Sequence, residues 1–341
     1  MRIGIDARKV ADFGIGTYIR GLLGGLAELR GDEEYVVFAP ASARAEIPAS
    51  LEHVVLEAPH YSVRELFVVG GAARRAGIDL LHAPHYVVPV SRCPVVVTIH
   101  DLIHLHQRHR NPLAGIYART MIGRAVRKSL RILTVSQAVK SEIVQTFGCD
   151  PGKIRVTPNG VGDIFRAEGP NAHPAPYFLY AGNDKPHKNV NRLVEAMTRV
   201  REQRPDLTLV LAGAPFERHR RREGIVTPGF VSEAELAALY RGATAVVLPS
   251  LEEGFGLPAA EAMAAGAAVI TSTAAALVEM TGDAALHVDP RSSTAIAEAM
   301  LRVAGDDALR MSMGGRGIDR ARSLTWSRCA DLTRRALLAN V

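Results

Sequence analysis

The chain has 341 residues, 48% of them hydrophobic and 22% charged, the balance of an ordinary globular protein, which excludes a disordered, fibrous or low-complexity one. That length calls for two cores rather than one. The 41 basic and 35 acidic residues leave a net +6, a sign that suits anionic partners such as phosphates or an anionic membrane face without naming one.

Met1 leads straight into a strand-like run with no apolar leader, and no uncharged apolar stretch reaches the roughly 18 residues of a membrane span. The expectation is a cytoplasmic protein whose membrane contact, where any exists, is peripheral. Cys93, Cys149 and Cys329 are odd in number and widely spaced, and read as reduced structural thiols.

In chain order, the first half offers strands at 2–6, 35–39, 53–57, 79–82, 94–100 and 131–135, several apolar throughout, as strands buried in a parallel sheet are. Helical patterns lie between them at 18–29, 63–76 and 136–147, the last opened by Ser136, a residue suited to an N-cap. Residues 104–131 read largely as a basic amphipathic helix carrying Arg108, Arg110, Arg119, Arg124, Arg127 and Lys128. Such a helix packs its apolar face on a sheet or meets lipid, and both readings stay open.

A polar, Pro-rich stretch ending at Pro176 serves as the linker. Strands at 177–181, 207–212, 225–228, 243–248 and 268–271 then alternate with helices, and the chain closes on helices near 292–303, 307–322 and 326–338. The expected organisation is α/β throughout. One doubly wound domain spans 1–165 and a second spans 166–325, with residues 326–341 packing back on the first. Open α/β sheets bind ligands beyond the C-terminal ends of their strands, so a cleft between two of them suits a two-part substrate.

The chemistry concentrates in Pro249-Ser250-Leu251-Glu252-Glu253-Gly254-Phe255-Gly256-Leu257-Pro258, which follows an apolar strand and opens a small-residue helix. Gly254 and Gly256 let backbone amides approach a phosphate, and the helix start adds unpaired N–H groups and the positive end of its dipole. Glu253 in the turn and Glu261 on the helix can each accept two hydroxyl hydrogen bonds, one on either side of a pyrophosphate. A solvated helix face behind a Gly-rich turn is the bland alternative.

This segment resembles the Glu-x7-Glu signature of the retaining GT-B glycosyltransferases of family 4, group 1, and looks most like the bacterial mannosyltransferases among them. Gly14-Ile15-Gly16-Thr17-Tyr18, His100-Asp101, Thr134-Val135-Ser136, Pro158-Asn159-Gly160-Val161, Lys185 to Asn189, Gly229 to Ser232 and Gly282 to Ala285 resemble further landmarks of that family, in its order. The resemblance implies that Glu261 holds the donor ribose and Glu253 the donor sugar, with Gly254, Phe255, Gly256 and Leu257 near the pyrophosphate. It implies that Gly14 and Gly16 form a loop meeting the donor phosphate and the acceptor. It also implies a basic pair on the phosphates. Lys188 matches the second member, whereas the first is Asn183 here, leaving Lys185 or His187 to restore the charge.

His100, at the end of an apolar strand, can bond a sugar hydroxyl or stabilise charge near the anomeric carbon. A structural histidine bonded to backbone is the alternative. The implied activity is transfer of a hexosyl group, mannose favoured, from a nucleotide-diphosphate sugar to a carbohydrate or lipid-linked acceptor, with His100, Glu253 and Lys188 catalytic. GDP-mannose is the favoured donor and a UDP-sugar the runner-up. No metal or cofactor is expected, because dipoles and basic side chains can take the leaving charge. With only 5% aromatics, stacking platforms for nucleic acid are scarce, and no such partner is expected. A non-catalytic nucleotide-sugar-binding protein and a GT-B-like epimerase are the rival readings.

Overall fold

The computed structural model describes residues 1–12, 14–57, 63–106, 112–173, 176–213 and 215–339. The chain divides into two compact units, Met1–Gly160 with Thr325–Val341, and Val161–Leu324. The exchange falls between Gly160 and Val161 rather than after residue 165, because the Val161 amide already bonds to the Leu324 carbonyl at 2.9 Å.

In the first unit the strands are β1 (Arg2–Asp6), β2 (Glu34–Ala39), β3 (Glu52–Val55), β4 (Leu80–Ala83), β5 (Val95–Ile99), β6 (Arg131–Thr134) and β7 (Ile154–Val156). All pair in parallel in the order β3-β2-β1-β4-β5-β6-β7. The helices are α1 (Ile15–Glu28), α2 (Val63–Arg75), α3 (Ile103–His106), α4 (Pro112–Lys128) and α5 (Gln137–Phe147). Side chains alternate between two cores: Val36 and Phe38 join one with Val69, Ile122 and Ile143, while Ile5, Val37 and Ala39 join another with Tyr18, Leu22 and Leu26. Both faces are therefore buried, which is why several of these strands read as largely apolar runs. Ser136 caps α5 as its sequence position suggests, its Oγ accepting from the Val139 amide at 3.2 Å. On α4, Ile122, Ala125 and Val126 are buried and Ile116 is exposed. Arg108 and Arg110 lie outside the described residues.

The second unit repeats the plan. Strands β8 (Tyr177–Gly182), β9 (Thr208–Gly213), β10 (Ile225–Gly229), β11 (Ala245–Leu248), β12 (Val269–Ser272) and β13 (Ala285–Val288) form a parallel sheet in the order β10-β9-β8-β11-β12-β13. Helices α6 (Val190–Gln203), α7 (Glu233–Gly242), α8 (Leu257–Ala264), α9 (Ala275–Thr281), α10 (Ser293–Gly305) and α11 (Asp307–Ala321) cross between them. In this sheet the chain leaves β8 toward β9 and returns on its other side at β11, so the loops after β8 and β11 diverge and open a crevice at the switch point. The strands β7 and β13, absent from the sequence reading, are short outer strands with polar residues inside them, Arg155 and His287, and lack the apolar signature of the central ones.

The C-terminal helix, Trp326–Leu338, packs along α1 in the first unit. Two glycines of α1 make this possible: a Cβ at Gly21 would lie 2.1 Å from Trp326 Cδ2, and one at Gly25 would lie 2.6 Å from the Trp326 carbonyl. Arg131, buried at the start of β6, donates to the Ala336 and Ala339 carbonyls and closes the helix end. Gly21→Ala should therefore destabilise the protein. Overpacking of about 1–3 kcal/mol outweighs the roughly 1 kcal/mol that alanine gains over glycine in a helix. Thermal unfolding checks this, and an equal or higher Tm contradicts the packing described.

Candidate functional site

The second unit gathers its polar side chains where the switch point puts them. The turn after β8 runs through Lys185, Pro186, His187 and Lys188, and the loop after β11 carries Ser250 and Glu253. Lys188 Nζ donates to Glu253 Oε1 at 2.6 Å, and Ser250 Oγ donates to the same oxygen at 2.8 Å. Both charges are mostly withdrawn from water, with side-chain exposures of 17% and 11%. An ammonium has three N–H donors, so one spent on Glu253 leaves two that can reach an anion.

Backbone and amide contacts hold the two loops in register. The Leu251 amide donates to the His187 carbonyl at 2.7 Å. Asn189, in the left-handed conformation at φ 58°, uses its Nδ2 to bond the Pro249 carbonyl at 3.0 Å and the Pro290 carbonyl at 2.7 Å. Ser272, ending β12, donates to the Ser250 carbonyl at 2.5 Å. Three loops are thus stitched at one sheet edge around Lys188 and Glu253.

Behind the turn, Gly256 caps α8 at φ 92°, a conformation that favours glycine, and a Cβ there would meet Leu277 Cδ2 at 2.4 Å. Gly254, Phe255 and Gly256 are buried and Leu257 is half-buried. Glu261 lies within α8, half-buried, with the Tyr240 hydroxyl donating to its Oε2 at 3.0 Å. Burial pushes the Glu261 carboxyl up to about 8, against the Tyr240 hydrogen bond and with some help from the charge of Glu233. A carboxyl held partly protonated near neutral pH can both donate to and accept from vicinal hydroxyls.

Asn183 is a turn residue: its Oδ1 accepts from the Lys185 amide at 3.2 Å and its carbonyl from the Tyr180 hydroxyl at 2.7 Å. Lys185 is exposed, and His187 is half-buried with its carbonyl committed to Leu251. The next residue, Asp184, is held by Arg218, whose Nε donates at 2.6 Å and whose Nη2 reaches the other carboxylate oxygen. Arg218 therefore clips the loop after β9 to the turn after β8.

In the first unit, the edge formed by β1, β4 and β5 bears a buried charged cluster. Asp6, fully buried, accepts from Arg8 Nε and Nη2 at 2.8 and 2.7 Å and from His85 Nε2 at 3.2 Å. Burial alone would raise its carboxyl; the His85 and Arg8 hydrogen bonds overcome that and hold it well below the usual carboxylate range. A cavity of about 70 Å³ adjoins it, with Lys9, His85, Thr98, His100 and Asp101 on its walls. His100 Nε2 donates to the Pro84 carbonyl at 3.1 Å, which puts the proton on Nε2 and makes Nδ1 an acceptor. Gly14 starts α1 at φ 65° and is exposed. Gly16 is buried, its amide donating to the Asp12 carbonyl at 2.8 Å, and a Cβ there would lie 2.4 Å from the Val10 carbonyl. Glycine at position 16 thus serves a close backbone approach within the turn.

Two family profiles cover most of the chain: Glycosyltransferase Family 4 over residues 14–164 and Glycosyl transferases group 1 over residues 163–320. The chain belongs to the group 1 glycosyltransferases. Among curated relatives of this group 1 glycosyltransferase, O-antigen chain mannosyltransferase B of Escherichia coli is 29% identical over 94% of each chain. In fold, it is similar to sucrose-phosphate synthase from Thermosynechococcus elongatus, with 20% identity over 98% of each chain and a TM-score of 0.80. It is also similar to HepE of Anabaena, solved in complex with UDP and glucose, with 17% identity over 99% of this chain and 100% of that one and a TM-score of 0.78. The two Rossmann-like units are those of GT-B architecture.

Of the residues singled out in sequence, the second unit of this glycosyltransferase brings Lys188 directly onto Glu253 and sets Glu261 on the helix behind; Lys185 stands apart on the surface. His100, Gly14 and Gly16 lie in the first unit. Sequence reasoning missed Ser250, the Asn189 clamp, Tyr240 and the Asp6 cluster. An Asp ending an apolar strand was a usable signal for the last; the partners of Asn189 and Tyr240 lie too far along the chain to be read from it.

Because the folded Glu261 carboxyl titrates above its ordinary value of 4.5, the native state keeps a proton that the unfolded chain releases, and stability falls as pH rises from about 4.5 to about 8. Glu261→Gln removes this titration. Its Tm should decline less than that of the wild type between about pH 5 and about pH 8. Parallel Tm curves for the two proteins would contradict the raised carboxyl.

Proposed function

We propose that this glycosyltransferase moves a hexosyl group, mannose in the reading favoured here, from a nucleotide-diphosphate sugar to a hydroxyl of a carbohydrate or lipid-linked acceptor, with retention at the anomeric carbon. The observation that carries the reading is the half-buried Lys188 ammonium fixed on Glu253 at the switch point of the second sheet, where an α/β sheet takes its ligand. The name of the Escherichia coli relative supports mannose, and GDP-mannose is the donor proposed. HepE, solved with UDP and glucose, keeps a UDP-sugar as the runner-up.

In this proposal Glu261 bonds the ribose hydroxyls, Glu253 bonds the donor sugar, and Gly254 to Leu257 lie along the diphosphate. The anomeric C–O bond breaks with its electron pair passing to the β-phosphate oxygen. Lys188 meets that growing charge in a partly dehydrated setting, where a fixed cation interacts more strongly than in water. The acceptor oxygen bonds to the anomeric carbon on the face the diphosphate leaves, and the acceptor proton passes to a diphosphate oxygen, so no protein nucleophile, metal or cofactor enters the scheme. His100, with Nδ1 as an acceptor, takes a hydroxyl of the substrate. A cytoplasmic location with at most peripheral membrane contact is part of the proposal; among the described residues no helix is long and apolar enough to cross a membrane.

The test is turnover with a panel of nucleotide-diphosphate hexoses, with the product anomer read by NMR. GDP-mannose should be consumed and its anomeric configuration kept. Lys188→Ala should lower kcat about a hundredfold with a smaller change in donor KM, since the charge it meets develops in the transition state. Lys188→Arg should fall between, because charge survives while geometry changes. Inversion at the anomeric carbon rules out the mechanism, and equal rates in all three proteins rule out the role of Lys188.

A further inference from the structure

Thr98 and His100 lie two apart at the end of β5, so the strand period directs both side chains to one face. Tyr18, fully buried in the first turn of α1, touches both. Its hydroxyl lies 3.2 Å from Thr98 Oγ1, and its ring meets the His100 imidazole edge-on, centroids 4.7 Å apart at 77°. Thr98 is anchored in turn by His82 Nε2 at 2.9 Å, and Trp326 of the C-terminal helix backs the Tyr18 ring at 6.4 Å. The imidazole is thus braced by the Pro84 carbonyl and by an aromatic edge whose hydroxyl is tied to the same strand.

We propose that Tyr18 is a positioning residue for His100, fixing its ring orientation and its Nε2–H tautomer so that Nδ1 is kept as the acceptor for a substrate hydroxyl. The inference rests on the assignment of His100 to the substrate in the proposed function. A feature of the fold supports it. Tyr18 follows directly on the turn of Gly14 and Gly16, and its amide donates to the Gly14 carbonyl at 3.0 Å, so the glycine turn and the histidine share one strut. The network also carries a buried cost: among the described residues His82 Nδ1 has no hydrogen-bond partner. Burial holds the His100 imidazole below its ordinary value, with the Pro84 hydrogen bond and Asp101 acting against it and His85 in the same direction; Lys9 and His104 line the same cavity, and His82 interacts with His100 from β4.

The experiment combines kinetics in wild type, Tyr18→Phe, Tyr18→Leu, His100→Ala and the Tyr18→Leu/His100→Ala double variant with the tautomer of the His100 ring, read by NMR in the proteins that keep it. Tyr18→Phe keeps the aromatic edge but loses the tie to Thr98, so it should keep the fold and lower kcat less than Tyr18→Leu does. Tyr18→Leu should lower kcat about tenfold with donor KM little changed, and should have no further effect in the His100→Ala background. Its His100 ring should lose the single Nε2–H tautomer, a change that a purely structural role for Tyr18 would not produce. An unaltered tautomer in Tyr18→Leu overturns the inference whatever the activity. A full additional loss on top of His100→Ala overturns it as well. A wild-type rate in His100→Ala removes the assignment of His100 and the inference with it.

Discussion

The contact between Lys188 and Glu253 is the constraint around which the second unit is arranged. At 2.6 Å and largely out of water, such a pair contributes little net stability, because the cost of removing two charges from solvent offsets most of their attraction. What it provides is position. The two residues sit on the loops after β8 and β11, neighbouring strands in the sheet, and their contact ties those loops together. Ser250 on the same carboxylate oxygen, Asn189 on two proline carbonyls and the Leu251 amide on His187 all serve to keep that distance short. A cation held this way is organised before an anion arrives, which is what stabilising a leaving diphosphate demands.

The first unit solves a comparable problem with different groups. Its sheet edge carries Asp6 between Arg8 and His85, and Thr98 between Tyr18 and His82. These are buried polar networks, expensive if broken and rigid when whole. The C-terminal helix belongs to this unit, and its Trp326 is accommodated by the absence of side chains at Gly21 and Gly25. Residues from the far end of the sequence thereby stiffen the helix that presents Tyr18.

Most of the architecture was legible in the sequence because both faces of each parallel sheet are covered: Ala245–Leu248 is apolar without interruption, and Val95–Ile99 is apolar but for Thr98. The outer strands β7 and β13 escaped notice, since pairing on one side only tolerates Arg155 and His287 inside them. Glu253, Glu261 and Lys188 were readable as polar residues placed after a strand or on the helix that follows, where the fold sets them. Asn189 and Tyr240 were not, because their roles lie in partners 60 and 21 residues away that only the fold brings near. The glycines divide the same way. Gly256 needs its left-handed backbone, while Gly16, which looked like a ligand-facing glycine, is packed against the Val10 carbonyl. A Gly-x-Gly spacing reports a tight turn and does not say what the turn faces.

The central claim is that the edge of the second sheet is built to hold a diphosphate. Titration calorimetry of the wild-type protein with a nucleoside diphosphate and with the matching nucleoside monophosphate tests it most directly, since the two ligands differ only in the phosphate that Lys188 is assigned to meet. The account predicts that the diphosphate binds at least about tenfold more tightly, and that this advantage shrinks as salt is raised. Equal affinities for the two nucleotides, at low and high salt alike, would contradict it.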